Sequence, residues 1–243
     1  MQKESLPQNW NQISVSQFLE IRSLSSEYGI FDYQIDVLCA LTDSNISDYE
    51  ELDIDDLGKL TRQLKWIESE PSRRYKNKLD NYVLKPYSKL TLGEFIDLEH
   101  YFSNNYLENF CHILALLYRR TSKNIYGDDI IEPYEYSPRD RLDWYLDYPI
   151  TDVYGLIPEY LKYRENFTNT YTNLLVDVVT DDEVLEDADE IKEQKREQEK
   201  QKFAWESTIM ALCNDDLSKF NDILNMPVVL VFNILGMKKT LDV

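Results

Sequence analysis

The sequence predicts a mainly α-helical fold, with a helical N-terminal domain that carries a minor β-hairpin, a charged linker or helix, and a small C-terminal helical module. Glycine and proline are scarce, at 6 and 8 of 243 residues, whereas the helix-favouring Leu, Glu, Lys and Gln are frequent. Apolar residues make up 43% of the chain, which is enough for a globular core. In addition, strong helix-start signals recur along the chain.

Three segments carry these helix-start signals. A capping box, in which two side chains satisfy the first backbone N–H groups of a helix, is expected for the pairs Ser14/Gln17 and Thr91/Glu94. A third start is predicted at Ser137. Serine is a favourable cap residue, and the proline that follows it fits the first position of a helix. The predicted helices cover 14–25, 91–104 and 138–146.

Apolar residues at helical spacing predict further helices between these starts. One covers 31–42, and another follows Asp53. A third runs from Phe110 to Arg120, and a long one runs from Thr151 with a kink at Pro158.

Two stretches predict extended chain instead. In "KNKLDNYVLKPY" the pair Asp80-Asn81 separates two short apolar pieces and predicts a small hairpin. The stretch "GDDIIEPYEY" predicts a further extended segment.

An abrupt change of composition predicts the domain boundary. Residues 181–190 carry seven acids and no base, and the twelve residues after them are nearly all charged or Gln. Such a run cannot bury a core, so it is either a solvated linker or an exposed single helix. The predicted division is an N-terminal domain over 1–177, a charged segment over 178–202 and a C-terminal module over 203–243.

The C-terminal module is expected to contain three helices. The first contains Ile209 and Cys213, the second runs from Leu217 to Leu224, and the third runs from Val228 to Leu235 with Gly236 as its stop. A module of about 40 residues needs one very apolar element at its centre. The third helix is either that central element or a partly open surface that docks on a partner; the first is the commoner arrangement.

Charge and cysteine content narrow the possible partners and compartments. The net charge of −19 repels phosphate backbones and anionic lipid, so nucleic acid and membrane surfaces are unlikely partners. The apolar run 227–237 is about half the length that a transmembrane helix needs. The start "MQKESLPQNW" does not predict a signal peptide, and the three Cys are expected to be reduced thiols.

No motif predicts catalysis, a metal or a cofactor. The phosphate-binding and nucleophile-elbow patterns do not occur, and His100 and His112 lack metal-ligand spacing. Segment 43–56 is acidic but lacks the central glycine of a calcium loop. A small basic cluster from Arg73 to Lys78 is better explained as an exposed hairpin of mixed charge than as an RNA contact. The protein is therefore predicted to be non-enzymatic.

The layout resembles that of bacteriophage tail assembly chaperones, whose small helical C-terminal module carries a loose pattern of residues. The matching positions here are Trp205, Ala211-Leu212, Asp216, Lys219 and Pro227. The stretches "NWNQISVSQFLEI", "KLTLGEFIDLEHYFSNNY" and "YPITDVYGLIPEYLKYRENF" are similar to structural-operon proteins of phages that infect Bacteroidetes, including crAss-like ones.

The resemblance implies a virion assembly protein, a chaperone or adaptor, that binds phage structural proteins such as tape-measure, tail or neck proteins. It would act in the host cytoplasm, and a homo-oligomer is compatible with it. The alternative is a permanent virion component: a neck or tail ring subunit, or a packaged cargo protein. The candidate partner-binding residues are Trp205, Ile209, Leu212, Phe220, Leu224, Pro227, Val228, Val231 and Leu235.

Overall fold

The computed structural model describes residues 6–25, 29–42, 44–127, 129–134, 142–171, 204–214 and 216–240. It is mainly helical with a small four-stranded antiparallel sheet, as predicted. The chain divides into two compact units. The first comprises Met1–Leu84 and Tyr101–Glu159, and the second comprises Lys85–His100 and Tyr160–Val243.

The α-helices follow one another with short 3-10 helices between some of them. Their bounds are α1 Val15–Ser23, α2 Ile30–Thr42, α3 Ile46–Glu50, α4 Ile54–Thr61, α5 Leu92–Ser103, α6 Phe110–Leu117, α7 Leu142–Leu146, α8 Leu156–Thr170, α9 Ala204–Cys213, α10 Phe220–Leu224 and α11 Val228–Thr240. The 3-10 helices are Trp10–Gln12, Arg62–Glu68, Tyr87–Lys89, Ile150–Asp152 and Leu217–Lys219.

Both predicted capping boxes are present. The backbone N–H of Gln17 donates to Ser14 Oγ at 3.2 Å, and the backbone N–H of Ser14 donates to Gln17 Oε1 at 3.1 Å. At the start of α5, the N–H of Thr91 donates to Glu94 Oε2 at 2.8 Å, and the N–H of Glu94 donates to Thr91 Oγ1 at 3.3 Å. The caps therefore fix where α1 and α5 begin. The third predicted start, at Ser137, lies outside the described residues.

The sheet has the order β1 (Lys78–Leu79), β2 (Tyr82–Leu84), β3 (Tyr118–Lys123), β4 (Asp129–Ile131). The hairpin predicted around Asp80 is confirmed, and Asp80 adopts the left-handed conformation that its turn requires, with φ 48°. The segment predicted as extended in "GDDIIEPYEY" contributes β4.

The predicted continuation of a helix to Arg120 is wrong. Helix α6 ends at Leu117, and Tyr118 pairs with Leu84 at the start of β3. The hydroxyl of Tyr118 donates to the carbonyl of Lys76 at 2.5 Å, and the buried guanidinium of Arg119 donates to the carbonyls of Glu132 and Pro133. Tertiary pairing thus outweighs local helix preference here.

The helix predicted from Thr151 is present as α8, but its predicted start and the kink at Pro158 are wrong. Helix α8 begins at Leu156, so Pro158 lies in its first turn, where a missing N–H removes no intrahelical bond. Gly155 precedes the helix and donates its N–H to the carbonyl of Arg74 at 3.0 Å. A Cβ at Gly155 would lie 2.6 Å from backbone atoms of Arg73 and Arg74, so a side chain does not fit there.

Helix α6 lies at the centre of the core of the first unit. Seven of its eight residues are buried, from Phe110 to Leu117 with the exception of His112. Phe18 of α1 packs near it, with ring centroids 6.1 Å from Phe110, 5.7 Å from Trp10 and 5.6 Å from Tyr154. The indole N–H of Trp10 donates to the carbonyl of Ser69 at 2.8 Å, which satisfies its polar group.

The predicted charged segment 178–202 lies outside the described residues. The C-terminal helices α9 to α11 belong to one compact unit together with residues 85–100 and residues 160–170 of α8. The chain segments of the second unit therefore come from both sides of the predicted boundary.

Candidate protein-docking surface

The start of α11 is held in place by backbone hydrogen bonds to the start of α5. The N–H of Leu92 donates to the carbonyl of Met226 at 2.9 Å, and the N–H of Val228 donates to the carbonyl of Leu90 at 2.9 Å. Thr91 and Pro227 form a short antiparallel bridge between these bonds. Two segments far apart in sequence are thereby joined at the point where α11 begins.

An aromatic cluster holds the inner face of α11. The ring of Phe232 lies 4.9 Å from Phe167, 5.2 Å from Tyr171 and 6.2 Å from Trp205, measured between centroids. Phe95 joins the same cluster, 6.3 Å from Phe232. Edge-to-face and tilted aromatic pairs at these distances add specificity to apolar burial.

Helix α11 has a buried face and an exposed apolar face. Val228, Val231 and Phe232 are at most 2% exposed. On the other side Leu230 is 45% exposed and Met237 is 57% exposed, with half-buried Ile234 between them in sequence. Positions 230, 234 and 237 fall on one face of a helix. We call this set, Leu230, Ile234 and Met237, the outer face of α11.

The predicted stop at Gly236 is wrong, since α11 continues to Thr240. The hydroxyl of Thr240 donates to the carbonyl of Gly236 at 2.9 Å, and Lys238 and Lys239 lie in the last turn. Cationic side chains favour the C-terminal end of a helix because the last carbonyls carry partial negative charge. The cost of an interior glycine, about 1 kcal/mol, is small beside these contributions and the burial of the helix.

The connection between α9 and α10 is fixed by local polar contacts. Asn214 ends α9 with φ 51°, a conformation that asparagine tolerates. Asp216 then accepts hydrogen bonds from the N–H and hydroxyl of Ser218, at 3.1 and 2.6 Å, and pairs with Lys219 at 3.0 Å. The hydrogen bonds from Ser218, followed by that from Lys219, lower the pKa of Asp216 to about 2.

Charged groups around α5 and α8 serve the packing of the second unit. The ammonium of Lys85 bonds the buried carboxylate of Glu94 at 2.5 Å, and the guanidinium of Arg164 donates to both oxygens of Glu99, with Nε distances of 2.7 and 2.8 Å. Burial raises the pKa of Asp97, and it also raises the pKa of Tyr160. Both ion pairs join residues within the second unit.

The predicted partner-binding residues divide into three sets. Ile209, Val228 and Val231 are buried in the second unit and offer no surface to a partner in this conformation. Pro227 is exposed. The remaining predicted residues are half-buried: Trp205, Leu212, Phe220, Leu224 and Leu235.

Sequence reasoning missed the most exposed apolar residues of the C-terminal helices, which are Leu217, Leu230 and Met237. A signal for two of them was available in the helical register. If Val228, Val231 and Phe232 form one face, Leu230 and Met237 must lie away from it.

His112 and Cys111, the neighbouring residues that could carry chemistry, are packed against other side chains. The ring of His112 lies 5.2 Å from Tyr101, and burial raises the pKa of Cys111 to about 11, which keeps the thiol protonated at neutral pH. In the described part of the chain, no three His, Cys, Asp or Glu side chains are grouped as metal ligands. Within the same residues, no helix has the length and apolar character to cross a membrane.

Comparison of the chain with protein-family models, with curated proteins and with solved structures gives no match.

Proposed function

We propose that the protein is a non-catalytic bacteriophage virion assembly protein, a chaperone or adaptor, that binds another structural protein through the outer face of α11. The phage setting comes from the resemblance in sequence. The docking surface is supported by one observation: residues 228–237 of α11 are apolar except for Asn233 and Gly236, yet Leu230 and Met237 remain about half exposed. A helical stretch with so many apolar residues is normally enclosed by other elements.

A helical client fits this surface. Leu230, Ile234 and Met237 recur at the spacing by which one amphipathic helix packs against another. Covering two half-exposed apolar side chains contributes about 2 kcal/mol in all. A stable complex therefore also requires contacts from neighbouring residues of the C-terminal helices, such as Pro227 and Leu217.

The net charge of −19 complements basic segments of a client and keeps a complex of apolar helices soluble. Tape-measure, tail or neck proteins are the proposed clients, and the host cytoplasm during assembly is the proposed location. Because the protein would hold a client before it is built into a particle, it would be abundant in infected cells.

The first experiment replaces the outer face with charge in the full chain. In the double variant Leu230→Glu/Met237→Glu, recovery of the client with the tagged protein from phage-producing cells is expected to fall at least tenfold. Both side chains reach solvent, so the thermal midpoint should stay within a few degrees. Quantitative mass spectrometry of the co-purified proteins measures the loss.

A matched control is Ile46→Glu/Ile54→Glu, which adds the same charge at two exposed isoleucines of the first unit. This control should retain the client. If the two double variants recover the same amount of client, the outer face is not the docking surface.

A second candidate function, a permanent virion subunit, is favoured by the β3–β4 ribbon. Residues 118–120 of β3 pair with β2, whereas 121–123 pair with β4, so the ribbon extends beyond the β1–β2 turn. At its tip Ile125 is 91% exposed and Tyr126 is 83% exposed. A two-stranded ribbon is marginally stable alone, and a neighbouring copy in a ring would cover this tip.

Copy number in particles distinguishes the two functions. Mass spectrometry of purified particles, beside the infected-cell lysate, should find the protein in the lysate and not in particles if it is a chaperone. Many copies per particle would instead support a ring subunit or cargo protein.

A further inference from the structure

A second surface, in the first unit, has the chemistry of a ligand-binding groove. It lies between α2 and the segment from the end of α4 through the following 3-10 helix, and it is an open groove with a volume of about 430 Å³. This volume falls in the range of about 300–1,000 Å³ that is typical of small-molecule sites. The groove is formed entirely by residues of one unit.

The floor of the groove is apolar. Val37, Leu64 and Ile67 are buried beneath it. Ile30 stands at its lip and is 74% exposed, although it is a large aliphatic residue at the start of a helix. A ligand that entered the groove would cover this side chain and extend the apolar contact of the floor.

The rim of the groove is basic, which is unusual in a chain with 45 acids and 26 bases. Arg22, Arg62 and Lys65 line it, against one acid, Glu68. The guanidinium of Arg22 is held by Glu70 at 3.0 Å and lies over the ring of Phe18 at 5.4 Å, so its position is fixed.

Among the residues that the structure describes, Arg62 and Lys65 differ from Arg22 in having no acidic partner. The Nε of Arg62 donates to the carbonyl of Gly58 at 2.7 Å, which orients its guanidinium and leaves its outer N–H groups available for an anion. Within the described residues, neither Arg62 nor Lys65 forms an ion pair. Arg62 and Lys65 are three residues apart in a 3-10 helix, so they lie on one side of it. Two cations placed in this way are suited to bind a carboxylate whose apolar body lies in the groove.

We propose that this groove binds a linear apolar carboxylate of the fatty-acid class. The hydrocarbon chain would lie against Ile30 and the part of Tyr33 that lines the groove, and the carboxylate would be held by Arg62 and Lys65. Among ligands with the same hydrocarbon chain, the basic rim would then bind an anionic one more tightly than a neutral or a cationic one. This inference is independent of the docking surface on α11.

Isothermal titration calorimetry with decanoate, below its micelle concentration, tests the proposal on the full chain. Saturable binding with one site is expected. Decanol lacks the charge and should bind at least about tenfold more weakly, and decyltrimethylammonium should bind more weakly still, because each charge-assisted hydrogen bond accounts for about a tenfold change or more.

Paired variants place the binding in the groove. Arg62→Gln/Lys65→Gln should weaken decanoate binding about tenfold or more and leave decanol binding unchanged. The control Arg73→Gln/Lys78→Gln removes the same two charges at exposed residues outside the groove and should bind decanoate as the natural chain does. All four side chains are exposed, and far-ultraviolet circular dichroism verifies that both variants fold.

A separate variant tests the contact between Ile30 and the hydrocarbon chain. Ile30→Ser should also weaken decanoate binding, and it should weaken decanol binding by the same factor, since Ile30 contacts the hydrocarbon chain. Three results would overturn the proposal: no saturable binding of decanoate, decanol binding as tight as decanoate, or equal loss in the groove and control variants.

Discussion

Two helices that are rich in apolar residues, α6 and α11, are buried to different extents. In α6 every residue except His112 is buried, and its ends meet β3 and the core around Phe18 and Phe110. In α11 the buried side chains are confined to Val228, Val231 and Phe232 within the described helix. Each helix is apolar in sequence, so composition alone does not determine which one is enclosed.

The difference in burial follows from the elements that neighbour each helix. Helix α6 is eight residues long and leads directly into a strand, so the neighbouring elements cover all of its sides. Helix α11 is thirteen residues long, is held at its start by backbone bonds, and keeps one apolar side toward solvent. An exposed apolar face of this kind is the observation on which the proposed docking surface depends.

The largest expected effect comes from one substitution made in both helices. Leu114→Ala in α6 should lower the free energy of unfolding by about 4 kcal/mol, because it removes a fully buried side chain and leaves a cavity. Leu230→Ala in α11 should lower it by only about 1 kcal/mol, because nearly half of that side chain is already in water. Urea denaturation followed by circular dichroism measures both values.

The different burial of α6 and α11 requires that Leu114→Ala cost much more stability than Leu230→Ala. A loss of several kcal/mol in Leu230→Ala would mean that the outer face of α11 is buried in solution, and the docking surface would then have to be abandoned.

A smaller effect separates the two faces of α11 itself. Val231→Ala removes two methyl groups from a buried position and should cost about 2 kcal/mol. The side chain of Val229, two residues earlier, is half-buried, so Val229→Ala should lower the free energy of unfolding by less than half of that amount. Equal losses at the two positions would contradict the division of α11 into a buried and an exposed face. The same urea denaturation experiment measures them.

Helix starts could be predicted from the sequence because the chemistry of a cap is local. Ser14/Gln17 and Thr91/Glu94 satisfy backbone groups within three residues, so their pattern predicts both α1 and α5. The Asp80 turn was predictable for the same reason.

The predictions fail where contacts between residues far apart in the sequence determine where an element begins. Strand β3 begins at Tyr118 because Leu84 pairs with it, and α8 begins at Leu156 after Gly155 packs on the backbone of Arg73. Neither contact leaves a signal in the local pattern. The exposed face of α11 likewise depends on which of its sides the aromatic cluster covers, and the basic groove combines residues from Arg22 to Glu68 that no spacing rule connects.

The smallest predicted effect concerns the turn that leads into α10, and it is a function of pH. Because the hydrogen bonds of Ser218 hold the pKa of Asp216 near 2, below its usual value of about 4, the ionised carboxylate is the form that stabilises the folded turn. Its contribution is complete above pH about 4 and is lost as the pH falls toward 2. Asp216 is exposed, so the effect is small and salt weakens it.

Amide hydrogen exchange between pH 5 and 2 should resolve this loss. After correction for the intrinsic pH dependence of exchange, protection across Leu217–Leu224 should fall over this range in the natural chain, while protection in α6 stays constant. The variant Asp216→Asn keeps a side-chain acceptor but cannot ionise, so its protection should start lower and remain flat. If α6 loses protection in parallel with Leu217–Leu224, the titration reports global acid unfolding. The C-terminal helices and the buried core would then not respond to pH as separate regions.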